Sequence, residues 1–131
     1  MFTSLEQFQQ DLINKVKALG GLGTYTRPNG TTTPALFVGD EPDKIYPVTG
    51  IEVIIRLVSL ETATFINKKT LRNCCCEVCY VGHFAAGKQF SLPFLETVSK
   101  TFAKGNYIKT EESYQGGSMQ LLPEFKIRVY I

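Results

Sequence analysis

The segment Phe125–Ile131 alternates strictly between apolar and polar side chains up to the last residue of the sequence. Its apolar positions are Phe125, Ile127, Val129 and Ile131, and its polar positions are Lys126, Arg128 and Tyr130. Because successive side chains of a strand point to opposite faces, this period of two predicts a half-buried β-strand. Chain ends usually fray, so a terminus with this pattern predicts a closing element of a sheet.

Length and net charge restrict the class of protein. A chain of 131 residues is expected to form one domain. The formal net charge of +2 is too small to predict sequence-specific nucleic acid binding or an anionic membrane partner. No segment approaches the ~20 apolar residues of a membrane-spanning helix, and no secretory leader is visible at the N-terminus. We therefore expect a protein made in a reducing compartment, with no membrane partner.

The first element is predicted to be an amphipathic helix over Thr3–Leu19. Thr3 followed by Glu6 fits a capping box, and Gly20 accepts the left-handed conformation that ends a helix. Its apolar stripe consists of Leu5, Phe8, Leu12, Val16 and Leu19. This spacing is typical of a helix that packs on a sheet.

A β-hairpin is predicted to follow the first helix. Its first arm is the short strand Gly23–Thr26, and its second arm is Thr31–Val38. Arg27–Gly30 forms the turn, because Pro-Asn-Gly supplies the required backbone angles. Pro34 cannot donate to a strand ladder, so the second arm is expected at a sheet edge.

The middle of the chain contains two further strands. Gly39–Gly50 reads as a loop, and Ile51–Val58 as a strand with Ile51, Val53, Ile55 and Leu57 on one face. Cys74–Phe84 alternates in the same way. Between them, Leu60–Asn73 is open to three interpretations: an irregular crossing, a short strand, or a bulged extension of its neighbours.

A second helix and two strands complete the prediction. Ser91 can cap a helix over Phe94–Phe102 that tolerates Pro93 in its first turn, and Gly105 is expected to end it. The final strands are Tyr107–Tyr114 and Met119–Ile131. The fold class is therefore α+β, with a mainly antiparallel sheet and an N-terminal helix and a second helix packed on one face.

Four cysteines occur within Cys74–Cys79 and include a C-x-x-C at Cys76 and Cys79. On a strand these two positions face opposite sides, and the chain has no second C-x-x-C. We therefore expect cysteines that act as small core residues, with no catalytic residue, no metal and no cofactor. A small Cys/His metal or redox protein, built on Cys76, Cys79 and His83, remains the alternative of a different class.

Two charged clusters are open to functional and to structural interpretation. The acidic residues Asp40, Glu41 and Asp43 have oxygen ligands but lack the spacing of an EF-hand, so a solvated loop is favoured. The basic residues are Lys68, Lys69 and Arg72. Phosphate contact, a solvated loop, and an inter-subunit contact with a neighbour's acidic loop are the three interpretations of that basic cluster.

The order helix, hairpin, strands, helix and final strands resembles the tail-terminator (tail-completion) proteins of tailed bacteriophages, including the lambda-like ones. The elements that carry the resemblance are Thr3–Leu19, Thr24–Val38, Ile51–Val58, Cys74–Phe84, Phe94–Phe102, Tyr107–Tyr114 and Met119–Ile131. The resemblance implies a non-enzymatic virion protein that forms a ring, typically a hexamer. The ring caps the tail tube, ends its polymerisation and joins the tail to the head–neck proteins.

The resemblance also implies partners and a location. The expected partners are further copies of the chain, the tail-tube protein, the sheath as a further candidate, and neck or connector proteins. The expected location is the tail or neck of the virion, assembled in the host cytoplasm. Another neck, head–tail joining or baseplate component, and a small non-viral α+β binding module, are the alternatives.

The candidate interface residues come from four exposed segments: the hairpin turn, the acidic loop, the basic cluster and the polar face of the last strand. They are Arg27, Asn29, Asp40, Glu41, Asp43, Lys68, Lys69, Arg72, Lys126 and Arg128. Charge complementarity between such surfaces sets the register of an assembly more than its affinity.

Deletion of the last five residues is expected to prevent folding. The truncation removes Ile127 and Val129 from the predicted core face, so the strand loses most of its apolar anchor. Soluble yield and circular dichroism measure the effect. A soluble, folded truncated chain would contradict the assignment of this segment to the sheet.

Overall fold

The structure is a computed structural model and describes residues 2–39, 48–64, 70–84, 90–105, 107–116 and 121–131. In this part of the chain, two helices pack against one face of a seven-stranded sheet. All strand pairs are antiparallel except one. The α+β class predicted from the sequence is confirmed.

The helices are α1 (Leu5–Leu19) and α2 (Leu92–Ala103). The strands are β1 (Thr24–Thr26), β2 (Thr32–Pro34), β3 (Leu36–Val38), β4 (Val48–Thr64), β5 (Thr70–His83), β6 (Lys109–Gly116) and β7 (Leu121–Tyr130). Their order across the sheet is β2-β1-β4-β5-β7-β6, with β3 parallel to β4. Within the described residues, neither helix has the length and apolar character needed to cross a membrane.

The core lies between the helices and one face of the sheet, which we call the helix face. Its buried helix residues are Phe8, Leu12, Val16, Val98 and Phe102, and its buried strand residues are Val53, Ile55, Cys74, Cys76, Val78, Tyr80, Phe125, Ile127 and Val129. Phe102 and Phe125 are in ring contact, with centroids 5.1 Å apart. Burial of each large apolar side chain contributes roughly 1.5–3 kcal/mol, so this layer is the main source of stability.

The start of α1 differs from the prediction by one residue. Ser4, not Thr3, is the N-cap, and its hydroxyl accepts a hydrogen bond from the backbone N–H of Gln7. The side-chain oxygen of Gln7 in turn accepts a hydrogen bond from the backbone N–H of Thr3, with 2.9 Å between Thr3 N and Gln7 Oε1. Gln7, and not the predicted Glu6, is therefore the residue whose side chain returns a hydrogen bond to the start of the helix. Gly20 ends the helix with φ of 68°, as predicted.

The predicted hairpin arm Thr31–Val38 is two strands. Its first half, β2, pairs with β1 at the sheet edge, as Pro34 indicated. At Ala35 the chain changes partners: its N–H donates to Gly23 and its carbonyl accepts from Val53. β3 then runs parallel to β4. A side chain at Gly23 would place Cβ 1.8 Å from the Thr49 oxygen, so glycine permits this close crossing.

β4 and β5 form a long hairpin that resolves the ambiguous middle segment. Residues 60–64 continue β4 and residues 70–73 begin β5, with a bulge between Leu57 and Ser59. The interpretation as a bulged extension is therefore correct for the described part. β4 also begins at Val48, inside the predicted loop Gly39–Gly50. Residues 40–47 and 65–69 lie outside the described residues.

The final strand lies inside the sheet. β7 pairs with β5 on one side and with β6 on the other. The predicted faces of this strand are confirmed, because its buried residues are Phe125, Ile127 and Val129. Ile131 follows the strand and exchanges backbone hydrogen bonds with Arg72.

The second helix is longer than predicted, and the strand after it is shifted. Ser91 caps α2 through a hydrogen bond from the N–H of Phe94, as predicted. The helix ends at Ala103 with Lys104 as its C-cap, before Gly105. The next strand, predicted at Tyr107–Tyr114, begins at Lys109. Tyr107 instead anchors α1, because its hydroxyl donates to Asp11 at 2.8 Å.

Substitution of Tyr80 by phenylalanine is expected to raise the free energy of unfolding by about 1 kcal/mol. Tyr80 is 2% exposed, and among the described residues its hydroxyl has no hydrogen-bond partner. Tyr107→Phe is the matched control, because it removes a hydroxyl that does bind Asp11 and should lower stability. Urea unfolding measures both. A clear loss of stability in Tyr80→Phe would contradict the assignment of a buried hydroxyl without a hydrogen-bond partner at Tyr80.

Candidate functional site

The sheet face opposite the helices, here the open face, carries a row of alternating charges across four strands. This charge row consists of Arg56 on β4, Glu77 on β5, Lys126 on β7 and Glu111 on β6. Each member lies directly opposite the next in the strand register, so every cross-strand neighbour has the opposite charge. Arg56 Nε lies 3.8 Å from the Glu77 carboxylate.

The charge row is supported by its neighbours on the same face. Lys109 Nζ lies 2.8 Å from Glu111 Oε1. The hydrogen bond and charge of Lys109, and then the charges of Arg128 and Lys126, hold the pKa of Glu111 below its ordinary value. The neighbouring cations of this face therefore favour the charged form of Glu111.

A second cluster adjoins the charge row and consists of Glu77, Cys79 and Glu124. One potential ligand atom from each lies within 4.8 Å of the others. The hydrogen bond between the two carboxyl groups lowers the pKa of Glu77 and raises that of Glu124. Of the two carboxyl groups, Glu124 is therefore the one that takes up a proton first as the pH falls. Sequence reasoning missed this cluster, although Glu77 and Cys79 have the spacing of one strand face.

The chemistry of this cluster favours a hydrogen-bonded pair of carboxyl groups over a metal site. Two carboxyl groups and a thiol are ligand types for a cation such as Zn²⁺. Burial, followed by the hydrogen bond with Glu77, raises the pKa of the Cys79 thiol to about 12, so the thiol retains its proton. Among the described residues no histidine joins the group. We assign it no metal.

The structure does not bring together the residues of the Cys/His alternative. Cys76 lies in the core on the helix face, and Cys79 lies on the open face, as the strand period predicted. His83 is paired elsewhere, with its Nε2 atom 2.7 Å from the carboxylate of the buried residue Glu52. Burial also raises the pKa of Cys76 to about 12, which disfavours the reactive thiolate.

The predicted interface residues of the hairpin stabilise their own turn. Asn29 Oδ1 accepts hydrogen bonds from the backbone N–H and the hydroxyl of Thr31, at 3.1 and 2.7 Å. The backbone N–H of Arg27 donates to the Thr31 carbonyl. Arg27 also lines a groove of about 390 Å³ between α1 and the first strands, together with Lys17. Asn29 thus has a structural role, whereas Arg27 remains an exposed cation.

The other predicted interface residues divide into two groups. Lys126 and Arg128 lie together on the open face, separated by the sheet from the hairpin turn. Arg72 is exposed near them, next to the end of β7. The remaining residues lie outside the described part of the chain; they are Asp40, Glu41, Asp43, Lys68 and Lys69.

Apolar side chains are exposed at the outer edge of β4, beyond the part that β3 covers. Leu57, Val58 and Leu60 are 50%, 47% and 40% exposed. β3 covers this edge only opposite residues 53–55, and no described strand continues along residues 56–64. The doubled apolar pair Leu57-Val58 breaks the strand alternation and was the available sequence signal of the bulge.

Comparisons with known proteins give no family for this chain. A scan against models of protein families and a search of curated proteins both returned no match. The fold, the open face and the sheet edges are therefore the features that bear on function.

Replacement of Glu124 by glutamine is expected to stabilise the protein by about 0.5 kcal/mol near pH 8. The folded-state pKa of Glu124 is raised, so the stability that its proton provides is lost as the pH rises through that pKa. Glutamine keeps a hydrogen-bond donor beside Glu77 without the charge.

The gain should therefore disappear as the pH falls below the ordinary glutamate range, near pH 4. Urea unfolding across this pH range measures it. Glu61→Gln, at an exposed position of β4, is the control. If the change in the free energy of unfolding depended on pH equally in both variants, the raised pKa of Glu124 would be contradicted.

Proposed function

We propose that this chain is a structural virion protein that forms a ring and acts as a tail terminator of a tailed bacteriophage. The ring caps the tail tube, ends its polymerisation and joins the tail to the head–neck proteins. The proposal assigns the chain no catalytic activity and no cofactor. Support comes from the described order of elements, which follows the order that carries the resemblance to tail terminators.

The observation that carries the ring is the difference between two edges of the described sheet, the uncovered part of β4 and β6. One edge is the outer side of β4 beyond β3, with three exposed apolar residues. The other is β6, whose exposed side chains are mostly charged or polar. Open edges are templates for further pairing. Unlike edges favour a head-to-tail contact, which closes into a ring when the rotation allows.

The remaining surfaces are available for the other expected partners. The charged open face and the groove that contains Lys17 and Arg27 are large enough to contact a protein surface. We propose the tail-tube protein on one side of the ring and neck or connector proteins on the other. Another neck, head–tail joining or baseplate component would use the same kind of ring, so tube binding distinguishes these roles.

The purified chain is expected to form rings, either in solution or on tail tubes assembled from the tube protein of the same genome. Mass measurement in solution tests the first case, and electron microscopy of the mixture tests the second. Rings at tube ends and tubes of limited length are the expected result. A chain that stays monomeric with tubes and leaves their length unchanged would contradict the proposal.

A further inference from the structure

We propose that neighbouring copies join by pairing β6 of one copy with residues 56–60 of β4 in the next. The two members at the ends of the charge row, Arg56 on β4 and Glu111 on β6, have opposite charges. Edge pairing would place them side by side, so the row would continue from copy to copy. This inference rests on the proposed ring and specifies its neighbour contact.

Strand direction permits this pairing without turning a subunit over. β4, β5, β7 and β6 are successively antiparallel, so β4 and β6 run in opposite directions. A following copy in the same orientation therefore presents its β4 antiparallel to β6. The open faces of the two copies then lie on the same side of one continuous sheet.

The position of β3 sets where the pairing begins. β3 occupies the outer side of β4 opposite residues 53–55, and its last residue Val38 lies opposite Ile55. A partner strand can first reach β4 at Arg56. On the other edge, no described strand pairs with the outer side of β6. Among the described residues, neither edge therefore has a partner strand at the ends of the charge row.

The register that matches the charges also matches the exposed apolar side chains. With Glu111 opposite the next copy's Arg56, Thr110 lies opposite Leu57. Continuing past the bulged residue brings Ile108 opposite Leu60. Ile108 and Leu60 are 48% and 40% exposed. Ile108 directly precedes β6 and donates its backbone N–H to the Arg128 carbonyl, so the alternation of β6 extended by one residue places it, like Leu60, on the helix face. One register therefore covers apolar residues on one face and pairs charges on the other.

This double match identifies a second copy of the chain as the occupant of the β4 edge. A strand from an unrelated protein can satisfy the exposed backbone groups of any open edge. The opposite charge is supplied by β6 of this chain, and the exposed apolar residue by Ile108, which directly precedes β6. Because the contact joins two different edges, it is heterologous and is repeated by every copy.

Cysteine cross-linking between Leu60→Cys and Ile108→Cys chains tests the register directly. The purified chains, mixed alone and with tail tubes, should give a cross-linked dimer, and the double variant should give a ladder of multimers. Leu92→Cys mixed with Ile108→Cys is the matched control, because Leu92 is 79% exposed at the start of α2, away from both edges. Failure of the first pair to exceed this control in both conditions would overturn the edge pairing.

Charge exchange tests the continuation of the charge row. Arg56→Glu and Glu111→Arg should each weaken association at least ten-fold, because each places like charges across the contact. The double variant should recover most of this loss. Glu96→Arg, at an exposed position of α2, is the control and should leave association unchanged. Circular dichroism confirms that each variant is folded. Equal association of the single variants and the control would overturn the charge match.

The same experiments separate the edge pairing from the terminator role. Cross-linked rings that leave tail tubes uncapped would support the edge pairing and overturn the proposed function. Capped tubes whose rings show no cross-link between the two cysteine positions would support the proposed function and overturn the edge pairing.

Discussion

The structure depends on the burial of the helix face of the ladder formed by β4, β5 and β7. Two helices cover the helix face, and the apolar side chains of these strands meet them there. A shift of one residue in any of the three strands would exchange its faces and bury charged groups such as Glu77 or Lys126. Burial of the helix face therefore sets the register, and the register decides which polar side chains become neighbours on the open face.

That register gives the open face its chemistry. Alternation of charge along Arg56, Glu77, Lys126 and Glu111 avoids like charges in direct opposition, which destabilise strand pairs. Outside the row, like charges do meet on this face: Lys109 lies directly opposite Arg128, and Glu124 approaches Glu77, where the hydrogen bond between the two carboxyl groups raises the pKa of Glu124. Because the row crosses an even number of strands, it ends in opposite charges. The proposed assembly follows from this property and from the open edges.

Local patterns predicted most of the elements, and non-local pairing accounts for the differences. Strict alternation was sufficient to predict the two faces of β7, and the hydroxyl of Ser91 was sufficient to predict the N-cap of α2. The split of the second hairpin arm was not predictable, because it depends on the close passage of Gly23 and Ala35 beside β4. Leu57 lies on the predicted face with Val53 and Ile55, but it is 50% exposed because it lies at the bulge, where the cover of β3 has ended.

The sequence by itself determined the α+β class, the faces of the main strands and the separation of Cys76 from Cys79. These properties follow from periodicity and from the backbone preferences of glycine and proline, which act over a few residues. Only the tertiary structure decided the order of strands, the charge row and the Glu77–Glu124 contact. These depend on residues far apart in the chain, whose registers are selected together by burial of a common core.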